Sequence, residues 1–347
     1  MMRKNILVIG GTGLVGKVIL RILQKRNPDY NLFVGSRQLG NTTQDLVIDV
    51  TNPKTFKCVL DNKIDLIVLC TKDRNNEILK FAIANKLDYI DITKPTPDLI
   101  VAHDLAQDDN QNTNSHIVFS SGWMSGIVGS LVDFIAPDKR EITEVNLYIY
   151  YSIKDLAGKS SAHFLAENVC KPFTSYKNNE PQKVKHFLDA EKFNFSFGLG
   201  KRMVYNLDVP DLFILNQIEK IPTVSVKMTY SSKFVTSLMG YFQSLKIFNI
   251  LSLKERQLLF GSSGNGDQTV FEINVRTNTG TNTGTKKVSL QSVKGQAELT
   301  AFSTVLHIEK MLSTALPNGI YFSHQIHSPQ EVYEALHNYS TINIKIS

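Results

Sequence analysis

Cysteine is scarce in this chain of 347 residues, and its scarcity argues against two kinds of site. The three cysteines, Cys58, Cys70 and Cys170, are odd in number and widely separated. Disulfide scaffolds carry even numbers of cysteine in short chains, and zinc sites carry Cys or His pairs at characteristic intervals. We therefore predict no disulfide framework and no metal site, and three free thiols are typical of a reducing compartment.

Long apolar runs and basic blocks are also missing. No uninterrupted apolar stretch reaches the roughly 20 residues that a membrane-spanning helix needs, and residues 1–4 lead directly into a predicted strand, which leaves no room for a signal peptide. The net charge is +6, but the Lys and Arg residues are dispersed and are not interleaved with aromatic residues. We expect a cytoplasmic protein with no stable membrane insertion and no nucleic-acid partner.

A glycine motif lies near the start of the chain. Residues 5–16 read NILVIGGTGLVG, in which an apolar run precedes Gly-x-Gly-x-x-Gly and apolar residues then recur at helical spacing. This order of strand, glycine turn and helix is typical of a dinucleotide site, because the glycines allow a tight turn and a close approach of backbone to the pyrophosphate. Amides at the helix start and the helix dipole favour the phosphate charge. The alternative is a βα turn without a ligand. The predicted pyrophosphate site consists of Gly11, Thr12, Gly13, Leu14, Val15 and Gly16.

The end of the second predicted strand indicates which dinucleotide binds. NAD sites usually have Asp or Glu there, which holds the ribose 2′-hydroxyl. This chain has Ser36 and Arg37 instead. A guanidinium offers a permanent charge and several donors to a 2′-phosphate, so the sequence favours NADP over NAD. A solvent-exposed Arg37 without a ligand is the alternative. Asp49, at the end of the third predicted strand, is expected near the adenine.

The spacing of strands and helices divides the chain. Up to residue 120, six predicted strands alternate with helices, which is the pattern of a doubly wound parallel sheet of the Rossmann type. Further on, period-two alternation predicts strands at 141–152, 223–230, 269–276 and 286–293 without a helix between each, which indicates an α+β domain with an antiparallel sheet. We predict a dinucleotide-binding domain at 1–136, an α+β domain at 137–297, and a C-terminal segment at 298–347 that returns to the first domain.

Candidate catalytic residues are few. Cys70 ends the fourth predicted strand, Thr71 and Lys72 follow it, and Lys94 follows the fifth, at the strand ends where parallel sheets bind ligands. We predict that Cys70 and Thr71 border the cofactor and that Lys94 is catalytic. His163 is a candidate general acid–base or else a histidine on a helix surface. Arg202, beside Lys201, is a candidate carboxylate clamp or else a solvated charge.

Two further patterns leave alternatives open. Tyr150-x-x-x-Lys154 matches the catalytic pair of short-chain dehydrogenases, but that chemistry needs both residues on one helix face, whereas alternation over 142–151 predicts a strand with Tyr150 pointing away from the core. Residues 234–260 are rich in Leu, Ile and Phe. They predict helices buried in the second domain or in a dimer interface, with a membrane-surface role as the alternative.

Several stretches in order resemble the saccharopine dehydrogenase-like family. These are the glycine turn at 11–16, GSR at 35–37, the segment 65–93, SGWMSGI at 121–127 and the tail from 319. The resemblance implies a Rossmann domain completed by the C-terminal segment, a central domain for substrate and dimerisation, and hydride exchange between NAD(P) and a C–N bond. It also implies that Thr71 and Thr93 border the ribose and nicotinamide and that residues 121–126 edge the active site.

The sequence as a whole predicts an NADP-dependent oxidoreductase, expected as a homodimer, that acts on an imine, amine or carbonyl group of a small polar metabolite. The protein would orient the substrate and exclude water, because the hydride chemistry belongs to the cofactor. Two alternatives remain open: a non-catalytic sensor of NADP(H), and a short-chain dehydrogenase-like enzyme that uses Tyr150 and Lys154.

Overall fold

The computed structural model describes residues 3–38, 40–92, 94–108, 114–156, 158–261, 264–278 and 283–347. Its strands are β1 (Asn5–Ile9), β2 (Asn31–Ser36), β3 (Asp45–Val47), β4 (Leu66–Leu69), β5 (Asp88–Asp91), β6 (His116–Phe119), β7 (Ile142–Tyr151), β8 (Pro172–Lys177), β9 (Glu180–Lys185), β10 (Glu191–Phe195), β11 (Gly200–Asn206), β12 (Thr223–Tyr230), β13 (Thr269–Asn278), β14 (Thr283–Ser292), β15 (Gly319–Phe322) and β16 (Ile342–Ile346). Its helices are α1 (Leu14–Arg26), α2 (Lys57–Asp61), α3 (Glu77–Ala84), α4 (Thr96–Asp108), α5 (Trp123–Gly126), α6 (Val128–Ile135), α7 (Lys159–Asn168), α8 (Asp211–Phe213), α9 (Lys233–Ser244), α10 (Leu253–Phe260), α11 (Gly295–Ser313) and α12 (Pro329–His337). No helix in the described ranges is both long enough and apolar enough to cross a membrane.

The first compact unit contains a parallel sheet. The unit comprises residues 1–127 and 297–328. The seven strands of its sheet lie in the order β15-β6-β5-β4-β1-β2-β3. Strands β1 and β4 are apolar and almost wholly buried, as expected when helices cover both faces of a parallel sheet. From β1 the chain order runs through β2 and β3 toward one side of the sheet, and from β4 through β5 and β6 toward the other. Doubly wound sheets bind nucleotides at such a reversal, which here lies between β1 and β4. The predicted Rossmann-type sheet is therefore confirmed.

The C-terminal segment divides between the two units, which differs from its predicted return to the first. Residues 297–328 join the first unit, where β15 pairs with β6. Residues 329–347 join the second unit, because β16 pairs with the edge strand β14. Alternation over Ile342–Ile346 identifies a strand, but a short strand's own pattern does not indicate which sheet edge it completes.

The second compact unit, residues 128–296 and 329–347, contains a nine-stranded sheet. Its main path is β10-β11-β12-β7-β13-β14-β16, and β8 joins β12 and carries β9. Strand β12 is parallel to β7, whereas the other pairs are antiparallel. The sheet is therefore mixed and not wholly antiparallel as predicted. Strands β13 and β14 pair as a hairpin up to Asn278 opposite Thr283, and residues 279–282 lie outside the described ranges.

Aromatic side chains of β10, at one end of this sheet, cover one face of its central strand β7. The Phe193 ring stacks on Tyr148 with 3.8 Å between centroids, and Phe195 packs edge-on against Tyr150 at 6.0 Å. At the turn between the two strands, the Ser196 amide donates to the carboxylate of Glu272, which is fully buried. The aromatic rings of β10 thus bury a face that the alternation in β7 alone predicts to be exposed.

Candidate functional site

The glycine turn has the geometry that phosphate binding requires. Strand β1 ends at Ile9, and the amides of Gly11 and Gly13 donate to the carbonyls of Val8 and Gly10 at 3.1 and 2.9 Å. Helix α1 then begins at Leu14, with Gly13 as its N-cap, no side-chain cap and no acidic residue in its first turn. The first-turn amides and the positive end of the helix dipole are therefore left for an anion.

Two positions in this turn require glycine. Gly10 has φ +84°, a conformation that residues with a Cβ rarely adopt. At Gly16, a Cβ would lie 2.5 Å from the Gly10 carbonyl oxygen and 2.7 Å from the Gly11 Cα. Helix α1 therefore packs against the turn at a distance that only glycine permits, which holds the exposed residues Thr12 and Gly13 at the carboxyl edge of the sheet.

Arg37 and Asp49 lie near each other at the ends of β2 and β3. The two strands are paired in parallel, with Ser36 opposite Val47. Hydrogen bonds from the Thr51 amide and hydroxyl, at 2.9 and 2.8 Å, lower the pKa of Asp49, and the nearby Arg37 charge lowers it further. The Ser36 hydroxyl donates to the Gln38 carbonyl. The structure thus brings together the three residues predicted for the adenosine end of the cofactor.

Cys70 and Thr71 adjoin the glycine turn. The Cys70 amide donates to the Ile9 carbonyl at 2.8 Å, and a Cβ on Gly10 would lie 3.1 Å from the Cys70 carbonyl group and 3.2 Å from the Thr71 Cβ. Burial raises the pKa of the Cys70 thiol, so the thiol is uncharged and presents a weakly polar surface. Thr93 lies outside the described residues.

A cleft of about 280 Å³ opens beside these strand ends. Its lining includes Lys72 and Arg74, two cations between the end of β4 and the start of α3. The sequence places Lys72 at the ligand-binding end of the fourth predicted strand without assigning it a role, and it does not single out Arg74. The full lining consists of Val50, Thr51, Lys72, Asp73, Arg74 and Asn75.

A buried carboxylate and a buried lysine lie at the end of β5. The side chains of Asp91 and Lys94 are only 2% and 7% exposed, with 4.0 Å between Oδ2 and Nζ. The Ser120 amide donates to Asp91 Oδ1 at 2.8 Å. Burial raises the pKa of Asp91, and this effect outweighs the lowering by Lys94 and by the Ser120 hydrogen bond. Asp91 was not predicted as a site residue, because a single acid at a strand end carries no signal of its own.

The loop that follows β6 is strained at two serines. Ser120 has φ +61° and Ser125 has φ +67°, a left-handed conformation that is uncommon outside glycine, and both are buried. Strain of this kind persists only where surrounding structure enforces it, and it often marks functional loops. The loop spans residues 120–126, which include the predicted active-site edge and the short helix α5, whose backbone is not helical at Met124 and Ser125. It adjoins Asp91 through the Ser120 and Ser121 amides.

Helix α11 and the residues after β15 support this loop from within the same unit. Ser303 Oγ donates to the Ser121 carbonyl at 2.8 Å, and Ser323 Oγ donates to the Ser120 carbonyl at 2.7 Å. A Cβ on Gly126 would lie 2.8 Å from Ser303 Oγ. These contacts explain why residues 297–328 belong to the first unit, and they fix the loop conformation.

The other two predicted catalytic residues belong to the second unit. His163, on α7, contacts Glu167 through Nε2 at 3.0 Å and Gln257 through Nδ1. Arg202, on β11, donates from Nε to the Leu199 carbonyl at 3.2 Å and from a terminal nitrogen to the Ser231 carbonyl at 2.9 Å. Both side chains have structural partners within their own unit, and their catalytic roles stay predictions.

The Tyr150/Lys154 hypothesis is wrong in its geometry. Tyr150 lies within β7, and Lys154 follows the end of that strand, so the two do not share a helix face. Tyr150 is also buried, not directed away from the core as predicted, because Phe195 and the Arg202 guanidinium pack against its ring.

Comparison with known proteins identifies the fold. Neither a protein-family model nor a curated protein sequence matches the chain. Among solved structures, the chain is similar to apo saccharopine dehydrogenase (L-Glu forming) from Saccharomyces cerevisiae, with a TM-score of 0.70 and 14% identity over 99% of both chains. It is similar to homospermidine synthase from Legionella pneumophila in complex with NAD, with a TM-score of 0.66 and 8% identity over 100% of this chain and 91% of the other. It also matches an engineered D-amino acid dehydrogenase bound to NADP⁺, with a TM-score of 0.50 and 14% identity over 95% and 96% of the two chains.

These similarities extend over almost the whole chain. At identities this low they establish the fold, and the resemblance to saccharopine dehydrogenase-like proteins predicted from the sequence is confirmed at that level. The chemistry has to be argued from the site itself.

Proposed function

We propose that this protein is an NADP-dependent oxidoreductase that transfers hydride to or from a C–N or carbonyl group of a small polar metabolite. The observation that carries the proposal is the set of residues at the carboxyl edge of the parallel sheet in the first unit, where the strands end. That edge combines an uncapped glycine turn, a basic residue where NAD sites have an acid, and a buried Asp91–Lys94 pair. A cofactor site and a proton-bearing group at the same edge are what a dehydrogenase requires.

The residues of this edge fit a dinucleotide. The close packing at Gly16 and the uncapped start of α1 suit a pyrophosphate, which residues 11–16 would hold. Ser36 and Arg37 would hold the 2′-phosphate, with Asp49 beside the adenosine and Cys70 and Thr71 beside the nicotinamide end. When bound, the nicotinamide supplies or accepts the hydride.

Lys94 is the candidate for proton transfer. Its ammonium group lies 4.0 Å from Asp91 in a nearly water-free environment. Lys94 holds a proton at Nζ that it can give to the nitrogen or oxygen of the bond being reduced, and it can take a proton from that atom in the reverse direction. Asp91 orients the ammonium group, and the strained loop at 120–126 fixes Asp91 through its backbone amides.

The similar structures support this reaction class. One is a saccharopine dehydrogenase and another is a D-amino acid dehydrogenase bound to NADP⁺, and both names denote oxidation at a carbon that bears nitrogen. By analogy, an amino-acid-derived imine or secondary amine is the proposed substrate class.

The first test is cofactor affinity. NADPH and NADH are titrated against the wild type, Arg37→Ala and the control Arg140→Ala, which removes an exposed arginine of the second unit that pairs with Asp138. We expect wild type and control to prefer NADPH, and Arg37→Ala to lose about 1–3 kcal/mol of that preference because a charge-assisted contact is removed. Equal binding of the two cofactors would contradict the NADP assignment, and no binding of either would contradict the cofactor site.

The second test is turnover. NADPH oxidation is followed with mixtures of 2-oxo acids and primary amines, and with simple carbonyl compounds, and NADP⁺ reduction is followed with amino acids and secondary amines. Turnover of an imine-forming mixture supports the proposal. Tight NADPH binding without turnover across the whole panel would instead favour a non-catalytic sensor.

A further inference from the structure

Helix α9 in the second unit is apolar on its exposed face. Its inner face is buried and consists of Thr236, Met239, Gly240 and Gln243. On the opposite face, Phe234, Tyr241 and Leu245 follow i, i+7, i+11 spacing and are all exposed, Phe234 at 74%. An amphipathic surface helix normally carries polar residues on its outer face, whereas the outer face of α9 carries these three large apolar side chains.

The exposed apolar surface continues beyond α9. Ile250, between α9 and α10, is 83% exposed, and Leu258 on α10 is 73% exposed. Segment 233–260 contains half of the large hydrophobic residues that are exposed in the described ranges: Phe234, Tyr241, Leu245, Ile250, Leu253, Leu258 and Leu259. Phe248 packs against Phe242 and Phe260 on the inner side, so the segment is folded onto the unit while these side chains face outward. Such a concentration marks an interaction surface.

The charges in the segment are mainly positive. Lys233, Lys246 and Lys254 are exposed, and within the described part of the chain none of them forms an ion pair. The acidic residue in the segment, Glu255, accepts a hydrogen bond from the Ser252 amide at 2.7 Å as part of the α10 capping box, so its carboxylate is already engaged. The partner that complements this surface is therefore both apolar and anionic.

We propose that segment 233–260 binds the surface of a lipid bilayer that contains anionic lipids. Aromatic and aliphatic side chains would enter the boundary between headgroups and acyl chains, while the three lysines would contact anionic headgroups. A two-fold contact with a second copy would bring lysines of the same segment together without free acidic partners in it, and it is the less complementary solution.

Vesicle binding by the full chain tests this proposal without any cofactor. Flotation is measured with vesicles of equal parts phosphatidylglycerol and phosphatidylcholine, and with pure phosphatidylcholine. We expect binding to the anionic vesicles, weakened by added salt. The double variant Phe234→Ser/Ile250→Ser should bind at least about tenfold more weakly, because two large apolar side chains are removed. The triple variant Lys233→Gln/Lys246→Gln/Lys254→Gln should lose about fivefold per lysine on anionic vesicles only.

Matched controls separate the surface from general effects. Val101→Ser removes an exposed apolar side chain of α4, and Lys57→Gln/Lys63→Gln/Lys86→Gln removes three exposed lysines of the first unit. Both should bind vesicles like the wild type. Failure of the wild type to bind anionic vesicles overturns the proposal, and so does binding that the segment variants leave unchanged. A dimer that Phe234→Ser/Ile250→Ser converts to monomer, without vesicle binding, would show that a second copy covers the surface.

Discussion

Replacement of His186 by leucine should make the protein less sensitive to acid. His186 follows β9 in the second unit and is 1% exposed. Its ring lies 4.8 Å from Phe173 and 6.4 Å from Phe164, and its Nδ1 atom has no hydrogen-bond partner among the described residues. Burial without a polar partner disfavours the imidazolium ion, which lowers the pKa of His186 from 6.5 to about 3.

The sign and size of the effect follow from proton linkage. Below pH 6.5 the unfolded chain protonates this histidine, whereas the folded protein does so only near pH 3. The free energy of unfolding therefore falls as the pH decreases through this window. With 1.36 kcal/mol per pKa unit, His186 alone should remove about 2 kcal/mol of stability between pH 7 and pH 5.

Urea unfolding at pH 7 and pH 5 measures the difference. Far-UV circular dichroism follows the second unit together with the first, whereas fluorescence of the single tryptophan, Trp123, reports on the first unit only. Between pH 7 and pH 5, the free energy of unfolding of the second unit should fall by about 2 kcal/mol more in the wild type than in His186→Leu. The control His337→Gln, at an exposed position, should behave like the wild type. An equal loss in His186→Leu and wild type would refute the assignment of acid sensitivity to this buried ring.

Three further predictions concern cofactor binding and turnover. Gly16→Ala places a Cβ 2.5 Å from the Gly10 carbonyl oxygen, so NADPH affinity measured by titration should fall at least about tenfold while the circular dichroism spectrum is retained. Lys94→Met should reduce turnover by about 10²–10⁴-fold and leave NADPH affinity unchanged, because it removes the proton donor and not a phosphate contact; turnover equal to wild type would exclude Lys94. Tyr150→Phe should leave turnover within about twofold of wild type, since Tyr150 and Lys154 do not form a catalytic pair, and a loss of about 10²-fold or more would reopen that mechanism.

The parallel sheet could be predicted because its signals are local. Most strands up to β6 are short apolar runs followed by a turn and a helical period, although β2 leads to β3 without a helix, and the glycine turn adds a recognisable motif. Predicting that Arg37 and Asp49 lie close together required one further step. Both lie at the carboxyl ends of predicted parallel strands, and pairing of Ser36 with Val47 places those ends side by side.

The second unit could be predicted only in part, because its contacts are non-local. Strands β8 to β11 were missed, and β9 has the burial pattern of an exposed edge, with little apolar alternation to identify it. The same omission explains the error at Tyr150. Alternation in β7 gives the two faces of the strand, but β10 covers the face that an isolated strand would leave in solvent.

Only Lys94 of the Asp91–Lys94 pair could be predicted from the sequence, because the setting of the pair comes from tertiary structure. A sequence shows an acid at one strand end and a lysine three residues later, and neither burial nor pairing can be read from that spacing. In the structure, the Ser120 amide reaches Asp91 because the loop after β6 adopts left-handed conformations at Ser120 and Ser125, held in place by Ser303 and Ser323 from a segment 170 or more residues away. Local preference and tertiary structure disagree at these serines, and such disagreement is expected where a chain maintains a functional geometry at the expense of stability.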